Sequence, residues 1–160
     1  METAGRLTVD VPRLNREGER LKGETCPEAL DLGDRAGLVE PVGGMVYDLR
    51  VQVLGHELLV RGRVSQKLRC TCRRCAAGFE AEVTDDAVIV AVPLGTDTEF
   101  VDLTPDLREA IILSLPDHPV CRSECRGLCA HCGANLNDGP CGCPTTSPAG
   151  LGGLEMLKLP

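Results

Sequence analysis

Residues 46–68 read VYDLRVQVLGHELLVRGRVSQKL and show the clearest periodicity of this 160-residue chain. Before Gly55 the apolar side chains occupy the odd positions from Tyr47 to Val53. After Gly55 one face continues on the even positions, which are Leu58, Val60, Gly62, Val64 and Leu68. Alternation with a period of two is typical of half-buried strands, and a glycine between them favours a turn. This stretch therefore predicts two antiparallel strands.

The same pattern extends outward from this hairpin. Alternation returns at residues 79–83, a continuous apolar run follows at residues 87–94, and residues 7–11 indicate a short first strand. The polar residues 13–24 fit neither a helical nor a strand period. We predict an antiparallel meander whose middle turn, at residues 72–75, carries two cysteines.

One helix is predicted after the sheet. Thr104, Pro105 and Asp106 supply an N-cap residue, a proline at the first helical position and an acid in the first turn. A stripe at helical spacing follows and Pro116 ends it. The stripe comprises Leu107, Ala110, Ile111, Ser114 and Leu115. The predicted fold class is α+β: an antiparallel β-sheet meander with one packed helix and a C-terminal cysteine-rich zinc-knuckle module.

Composition divides the chain into three parts. Residues 1–120 are expected to form the sheet and helix domain, and residues 121–143 a zinc-binding module packed on it. Residues 144–160 are expected to be a linker and a tail, because residues 144–153 are rich in Pro, Thr, Ser and Gly. Three leucines follow after residue 153, and we expect them to dock the tail.

Composition also argues against several classes of function. The chain has 24 acidic and 17 basic side chains, a formal net charge of −7, and three aromatic residues. The acidic total argues against a general nucleic-acid coat, and the lack of aromatics argues against reading RNA by base stacking. No apolar run reaches about 18 residues and residues 1–11 do not resemble a leader, so we expect a cytoplasmic protein without a membrane partner.

Basic side chains are concentrated in one block. Residues 61–79 hold six basic and no acidic side chains, whereas residues 80–120 hold ten acidic side chains and one basic. The basic residues are Arg61, Arg63, Lys67, Arg69, Arg73 and Arg74. Two interpretations remain open. The block is a solvated strand face that pairs with the acidic block, or it is an RNA-binding surface that faces phosphates.

Eight of the ten cysteines form four close pairs, which is typical of metal ligation in a reducing compartment. Structural zinc takes four thiolates as two short-spaced pairs, so four pairs predict two structural zinc ions. Iron and iron–sulfur clusters use the same ligand type. The predicted ligands are Cys72, Cys75, Cys121, Cys125, Cys129, Cys132, Cys141 and Cys143.

Spacing also suggests which pairs share a metal. The pair Cys129 and Cys132 precedes Gly133 in a knuckle-like turn, and the pair at residues 141 and 143 follows closely, so these four are predicted to form one site. The pair at 121 and 125 is then predicted to join the sheet turn at 72 and 75. The alternative places Cys121 or Cys125 in the C-terminal site and leaves the sheet pair free.

The remaining candidate side chains have simpler interpretations. Cys26 and Cys70 lack a close partner and are expected to be small buried apolar residues. His131 is expected to be an exposed loop residue, and His56 and His118 turn residues. Closed thiolate sites, no glycine-rich phosphate loop and no evident nucleophile with a histidine base together favour a non-enzymatic protein without a small-molecule substrate.

Motifs in order give the chain a resemblance to the YceD family of bacterial and plastid proteins, described as large ribosomal RNA subunit accumulation proteins. Cys72-Arg73-Arg74-Cys75 followed by Phe79 is similar to the family's CxRC element. Residues 106–116 resemble its helix with a Leu-x-Leu-Pro end. The segments 125–129, 132–137 and 141–143 are similar to the cysteine-rich form of its C-terminal part. The resemblance spans roughly residues 46–143.

The resemblance implies a factor needed for normal 23S ribosomal RNA accumulation or processing. Its implied partner is ribosomal RNA or the pre-ribosomal large subunit. Some members of the family have histidines in place of Cys121 and Cys125 and lack the later knuckle, which favours pairing these two residues with Cys72 and Cys75. Two alternatives stay open: a binding module for a basic ribosomal protein, held by acidic residues 80–109, and a zinc-thiolate redox sensor.

Overall fold

A computed structural model of the chain describes residues 6–15, 17–32 and 38–143. The predicted linker and tail, residues 144–160, lie outside the described residues. The described strands are β1 Thr8–Asp10, β2 Glu19–Glu24, β3 Val39–Leu54, β4 Glu57–Thr71, β5 Gly78–Pro93 and β6 Phe100–Asp102, and the helix α1 is Thr104–Ser114. Short 3₁₀ turns lie at Val11–Arg13 and Pro27–Ala29.

The strands form two antiparallel sheets. One sheet has the order β2-β3-β4-β5, and a smaller one pairs β1 with β6. The predicted meander and the α+β fold class are confirmed. The apolar run at residues 87–94 continues the preceding alternating segment, since both lie in the single strand β5. The polar stretch without a period contains β2, which pairs with β3 along the sheet edge.

One face of the larger sheet forms the core. Inward side chains such as Leu49 of β3 and Val64 of β4 are fully buried, and Leu107 and Ile111 of α1 pack against this face. The predicted helical stripe is therefore the packed one. On the opposite face arginine, lysine and glutamate side chains are exposed, as expected for an antiparallel sheet with one solvated side.

A buried glutamine marks an irregularity in the hairpin. Gln66 is a polar residue, but it lies on the apolar face of β4 and is only 1% exposed. Its side-chain amide donates to the carbonyls of Val42 at 3.2 Å and Gly43 at 3.3 Å, where the β3–β4 register shifts. A bulge leaves backbone groups without hydrogen-bond partners in the ladder. The Gln66 side chain supplies donors for two of the carbonyls at this bulge.

A second register shift lies between Gly62 and Val64, in the β4–β5 ladder. Gly62 has a φ of +155°, and a Cβ atom there would lie 2.2 Å from the carbonyl oxygen of Asp48. The backbones of β3 and β4 thus approach too closely for any side chain at this position.

The helix begins one residue earlier than predicted. Thr104 is its first residue and not the N-cap. The Thr104 hydroxyl instead accepts a hydrogen bond from the Leu7 backbone N–H at 2.8 Å, and its own N–H donates to the Asp102 carboxylate at 2.9 Å. The Thr104 side chain therefore links the segment before β1 to the helix. The Asp102 carboxylate accepts from a backbone N–H of the first helical turn, which has no partner within the helix.

Candidate functional site: two cysteine groups and a charged sheet face

The turn between β4 and β5 presents Cys72 and Cys75. The Cys72 N–H donates to the Ala77 carbonyl at 2.9 Å, and the Ala76 N–H donates to the Cys72 carbonyl at 2.9 Å. Ala76 has a φ of +57°, in the left-handed region that non-glycine residues seldom occupy. This turn holds two thiols close together at the end of the sheet.

The turn at Cys129 and Cys132 repeats this backbone pattern. The Cys129 N–H donates to the Ala134 carbonyl at 2.8 Å, and the Gly133 N–H donates to the Cys129 carbonyl at 2.9 Å. Gly133, with a φ of +70°, stands where Ala76 stands in the sheet turn. The chain thus contains two knuckles with the same hydrogen bonds, one with alanine and one with glycine at the left-handed position.

Four thiols meet at the sheet turn and form what we term the inner group: Cys72, Cys75, Cys121 and Cys125. Their Sγ atoms lie within 4.8 Å of one another, and the Cys72–Cys125 and Cys75–Cys121 distances are both 3.8 Å. A zinc ion with thiolates at about 2.3 Å places its sulfurs about 3.8 Å apart. The inner group therefore fits a tetrahedral metal.

The other four paired cysteines form what we term the outer group: Cys129, Cys132, Cys141 and Cys143. Their Sγ atoms also lie within 4.8 Å of one another. The two groups are the ones favoured in the sequence analysis, whereas metal ligation and metal identity stay predictions. Phe79 and Val120 pack against the buried thiols of the inner group, whereas Cys132 of the outer group is exposed.

Hydrogen bonds lower the pKa of Cys72 and Cys125 in the inner group and of Cys129 in the outer group. Burial acts to raise the pKa of Cys72, but N–H groups of neighbouring residues outweigh it and lower the pKa to about 6. The N–H of Cys132 is the main cause that lowers the pKa of Cys129 to about 6. Burial and the neighbouring thiols raise the pKa of Cys121, because a second negative charge is disfavoured. A bound cation would remove that repulsion.

Asn137 connects the two groups. It lies in the loop between Cys132 and Cys141, and its side-chain amide donates to the Sγ of Cys125 at 3.4 Å. Its Oδ1 accepts from the Arg126 backbone N–H at 2.9 Å. A side chain from the loop of the outer group thus hydrogen-bonds a thiol of the inner group, a contact that the sequence analysis did not predict.

The turn between β4 and β5 also forms direct hydrogen bonds with the C-terminal segment. The Arg74 guanidinium donates to the carbonyls of Ser123 at 3.1 Å and Cys125 at 3.2 Å. The Leu128 N–H donates to the Arg74 carbonyl at 3.0 Å. Arg73 lies 2.8 Å from the Nδ1 of His118. Arg74 is therefore bound to the cysteine-rich segment, and Arg73 contacts the residue His118 shortly before it.

Other predicted residues lie as follows. Cys70 is buried, and burial raises the pKa of its thiol, in line with the apolar role expected of it. Cys26 is only partly buried, so the expectation of a buried residue is met in part. His131 is exposed, and its backbone N–H donates to the Sγ of Cys129 at 3.4 Å.

The four basic residues of β4 are exposed on the outer face, but their surroundings differ. Arg63 pairs with Asp86 at 2.6 Å. Lys67 stands opposite Glu82, and Arg69 stands between Glu40 and Glu80 in the strand register. The basic block thus faces the acidic block along much of β4, as the first of the two interpretations expected.

Strands β2 and β3 also contribute charged side chains to this face, which the linear pattern did not predict. Arg20 makes a two-point contact with Asp48, at 2.7 Å for each pair of atoms, and Lys22 reaches the same carboxylate at 2.9 Å. The hydrogen bonds from Arg20 and Lys22 hold the pKa of Asp48 well below its usual range. Arg50 completes the row between Arg20 and Arg61. Linear spacing gives no signal for such a cluster, because its members come from three strands.

No helix among the described residues is long and apolar enough to cross a membrane.

Residues 80–158 match the family model described as Large ribosomal RNA subunit accumulation protein YceD. The family resemblance is thereby confirmed. The matched range begins after the first cysteine pair and extends through most of the predicted tail, so it differs at both ends from the range indicated by the motifs.

Relatives of the chain include bacterial and plant proteins. An uncharacterized protein of Mycobacterium leprae (strain TN) is 32% identical, over 71% of this chain and 58% of the relative. An uncharacterized protein of Mycobacterium tuberculosis (strain ATCC 25618 / H37Rv) is 29% identical, over 86% of this chain and 74% of the relative. A protein of Arabidopsis thaliana, named Large ribosomal RNA subunit accumulation protein YCED homolog 1, chloroplastic, is 37% identical over 29% of this chain and 15% of its own length. The chain thus spans little more than half of the first relative, and no solved structure matches it.

Proposed function

We propose that this chain, whose residues 80–158 match the YceD family model, is a non-enzymatic accessory factor for large ribosomal subunit biogenesis. It would promote the accumulation or processing of 23S ribosomal RNA, with ribosomal RNA or the pre-ribosomal large subunit as its partner. The match to the family carries this proposal. The family description names the accumulation of ribosomal RNA and no chemical reaction, and the Arabidopsis relative carries the same description in its name.

We further propose that each cysteine group holds one structural zinc ion. Four thiols surround each position, so a tetrahedral ion would have no open site for water or substrate. When bound, zinc would supply a cross-link between the sheet turn and the C-terminal segment at the inner group. The residues around the groups would then keep the thiolates oriented, through backbone N–H groups and the amide of Asn137.

The alternative of a module for a basic ribosomal protein has less support. Its acidic segment lies partly on β5, where Glu80 and Glu82 stand opposite Arg69 and Lys67. Asp86 pairs with Arg63. These carboxylates thus lie beside the chain's own cations, which makes them less available to a basic partner. The redox alternative has more support than the module for a basic protein, since Cys132 is exposed and an accessible cysteine is open to oxidation.

Metal analysis of the purified chain tests the zinc proposal. Elemental analysis and native mass are expected to give two zinc ions, one for each group. The double variants Cys72→Ser/Cys75→Ser and Cys129→Ser/Cys132→Ser should each retain one, and Cys26→Ser, outside both groups, should retain two. A single zinc ion lost only in the second variant would contradict the inner site. Release of zinc under mild peroxide, reversed by a thiol reductant, would favour the redox sensor.

A cellular measurement tests the biological role. In a strain of the source organism whose own copy is repressed, the ratio of 23S to 16S ribosomal RNA is expected to fall. The wild-type chain and Cys26→Ser should restore it, whereas Cys72→Ser/Cys75→Ser should not, because the C-terminal segment would lose its cross-link to the sheet. An unchanged ratio during repression would contradict the proposed function.

A further inference from the structure

The outer face of the sheet carries arginines side by side on three neighbouring strands. Arg20 of β2 stands opposite Arg50 of β3, and Arg50 stands opposite Arg61 of β4. These three side chains are exposed, and Arg63 follows on the same face of β4. We term these four residues the arginine row. Like charges directly opposite one another destabilise a sheet, so folding stability does not account for the row.

Among the residues that the structure describes, two members of the arginine row lack an acidic partner. Arg20 binds Asp48, and Arg63 pairs with Asp86. Arg50 donates only to the backbone carbonyl of Glu17, at 3.0 Å, and Arg61 has no ion pair or hydrogen bond within the described ranges. Carboxylates thus hold the guanidinium groups of Arg20 and Arg63 in place. The guanidinium groups of Arg50 and Arg61 are available to an anion.

The arginine row lines a cleft of about 520 Å³ that is open to solvent. Its other charged lining residues are Glu19, Asp48 and Asp86, and the last two already bind members of the row. Its lining includes Gly62, which lies beside the bulge of the β4–β5 ladder and against the backbone of β3. Bulges bend a sheet locally and are frequent beside functional sites, and this one lies next to the cleft.

We infer that the arginine row binds the phosphate backbone of RNA, an inference that rests on the proposed function. Guanidinium groups bind phosphate oxygens in a bidentate manner. Two strand spacings carry the row over about 10 Å, a length that reaches several consecutive phosphates of one strand. No aromatic side chain lines the cleft, so the contact is with the backbone of a helical RNA and not with unstacked bases.

The remainder of the basic face on β4 serves as an internal comparison. Lys67 and Arg69 are as exposed as the arginine row, but they stand opposite Glu82 and Glu80. Each of these two side chains thus has a carboxylate on the strand beside it, whereas Arg61 stands between Arg50 and Ile89. The inference therefore assigns phosphate binding to the end of the sheet near the Gly55 turn, and not to the whole basic block.

Two double variants with the same charge change test this assignment. Arg50→Gln/Arg61→Gln removes the two available guanidiniums, and Lys67→Gln/Arg69→Gln is the matched control. The probe is an end-labelled RNA duplex of about 20 base pairs, titrated between about 50 and 200 mM salt. The first variant is expected to lose at least about tenfold in affinity. Its slope of log affinity against log salt should fall in magnitude by about 1.4–1.8, for two lost phosphate contacts. In the control variant the slope should fall by less than half of that amount.

Further measurements keep the outcomes distinct. Zinc content and thermal unfolding establish that each variant is folded, and Arg50→Lys/Arg61→Lys should keep the wild-type salt slope because it keeps both charges. Equal losses in the two glutamine variants, an unchanged slope in the first, or no duplex binding by the wild type would overturn the inference. If the wild type still restores 23S ribosomal RNA in cells in any of these cases, the proposed function stands without the arginine row.

Discussion

Ala76 and Gly133 occupy the same left-handed position in two knuckles with the same hydrogen bonds. A non-glycine residue pays roughly 1–2 kcal/mol for this conformation. We expect Ala76→Gly to raise the free energy of unfolding of the metal-loaded protein by about 0.5–1 kcal/mol, and Gly133→Ala to lower it by a similar amount. Denaturant unfolding followed by circular dichroism measures both changes.

The Gly133 substitution isolates the backbone contribution, because a Cβ atom there would meet nothing within 4 Å. Gly142→Ala is the control, since Gly142 has the same open surroundings without a left-handed φ. Its effect should stay within about 0.5 kcal/mol. Destabilisation by Ala76→Gly would show that the left-handed position is not the strained one.

Asn137 is a positioning residue whose amide donates to Cys125. Asn137→Asp keeps the acceptor oxygen but replaces this donor with a negative charge beside a thiolate. We expect the zinc affinity of the inner group to fall by about 10–100-fold, the usual range for a lost partner of a metal ligand. Chelator competition on the Cys129→Ser/Cys132→Ser background measures the inner group alone. Asp138→Asn is the neighbouring control, and an equal loss in both would refute the role of Asn137.

Among the strands, the pairing of β3 with β4 depends on the absence of a side chain at Gly62. A Cβ atom there would lie 2.2 Å from the Asp48 carbonyl oxygen and 2.8 Å from the Leu49 Cα, both backbone atoms. We expect Gly62→Ala to lower the free energy of unfolding by about 1–3 kcal/mol, as overpacking does. Gly78→Ala, at the start of β5 with nothing within 4 Å, should change it far less. Thermal unfolding compares them, and equal effects would contradict the close approach.

The strands and the helix differ in how well the sequence predicts them. The β3–β4 hairpin and α1 were predicted because each buries one periodic face. Strand β2 was missed because it lies at the sheet edge, where Leu21 is the one residue of the strand that is not exposed. Gln66 was not expected on the buried face, since its partners are carbonyls freed by a bulge and bulges leave no linear signal.

For the molecule as a whole, the inner group is packed apart from the main core. Its buried thiols form a cluster with Phe79 and Val120, whereas the main core joins the sheet, α1 and the β1–β6 pair. Chelation is therefore expected to loosen residues 117–143 while the sheet persists. Limited proteolysis should then cut first in this segment, with the β-sheet signal in circular dichroism retained. Simultaneous loss of the sheet signal would contradict two separate packing units.

The assembly of distant segments limits what the sequence predicts about the site. The cysteine groups were predictable because each ligand pair is close in the sequence and four pairs have few sensible combinations. The arginine row was not, because Arg20, Arg50 and Arg61 become neighbours only through the strand register. For the same reason the glutamates opposite Lys67 and Arg69 were foreseen only as a general tendency of two charged blocks to pair.

The four thiols of the inner group become available at different times during synthesis of the chain. Cys72 and Cys125 are 53 residues apart, so the first pair of thiols leaves the ribosome well before the second. At roughly 5–20 residues per second, about 3–10 s pass before four ligands are present. During this interval the β4–β5 hairpin can fold, since its strands are adjacent, but its exposed end holds two reactive thiols without their partners. Cellular reductants and the supply of metal to nascent chains therefore bear on the yield of this protein.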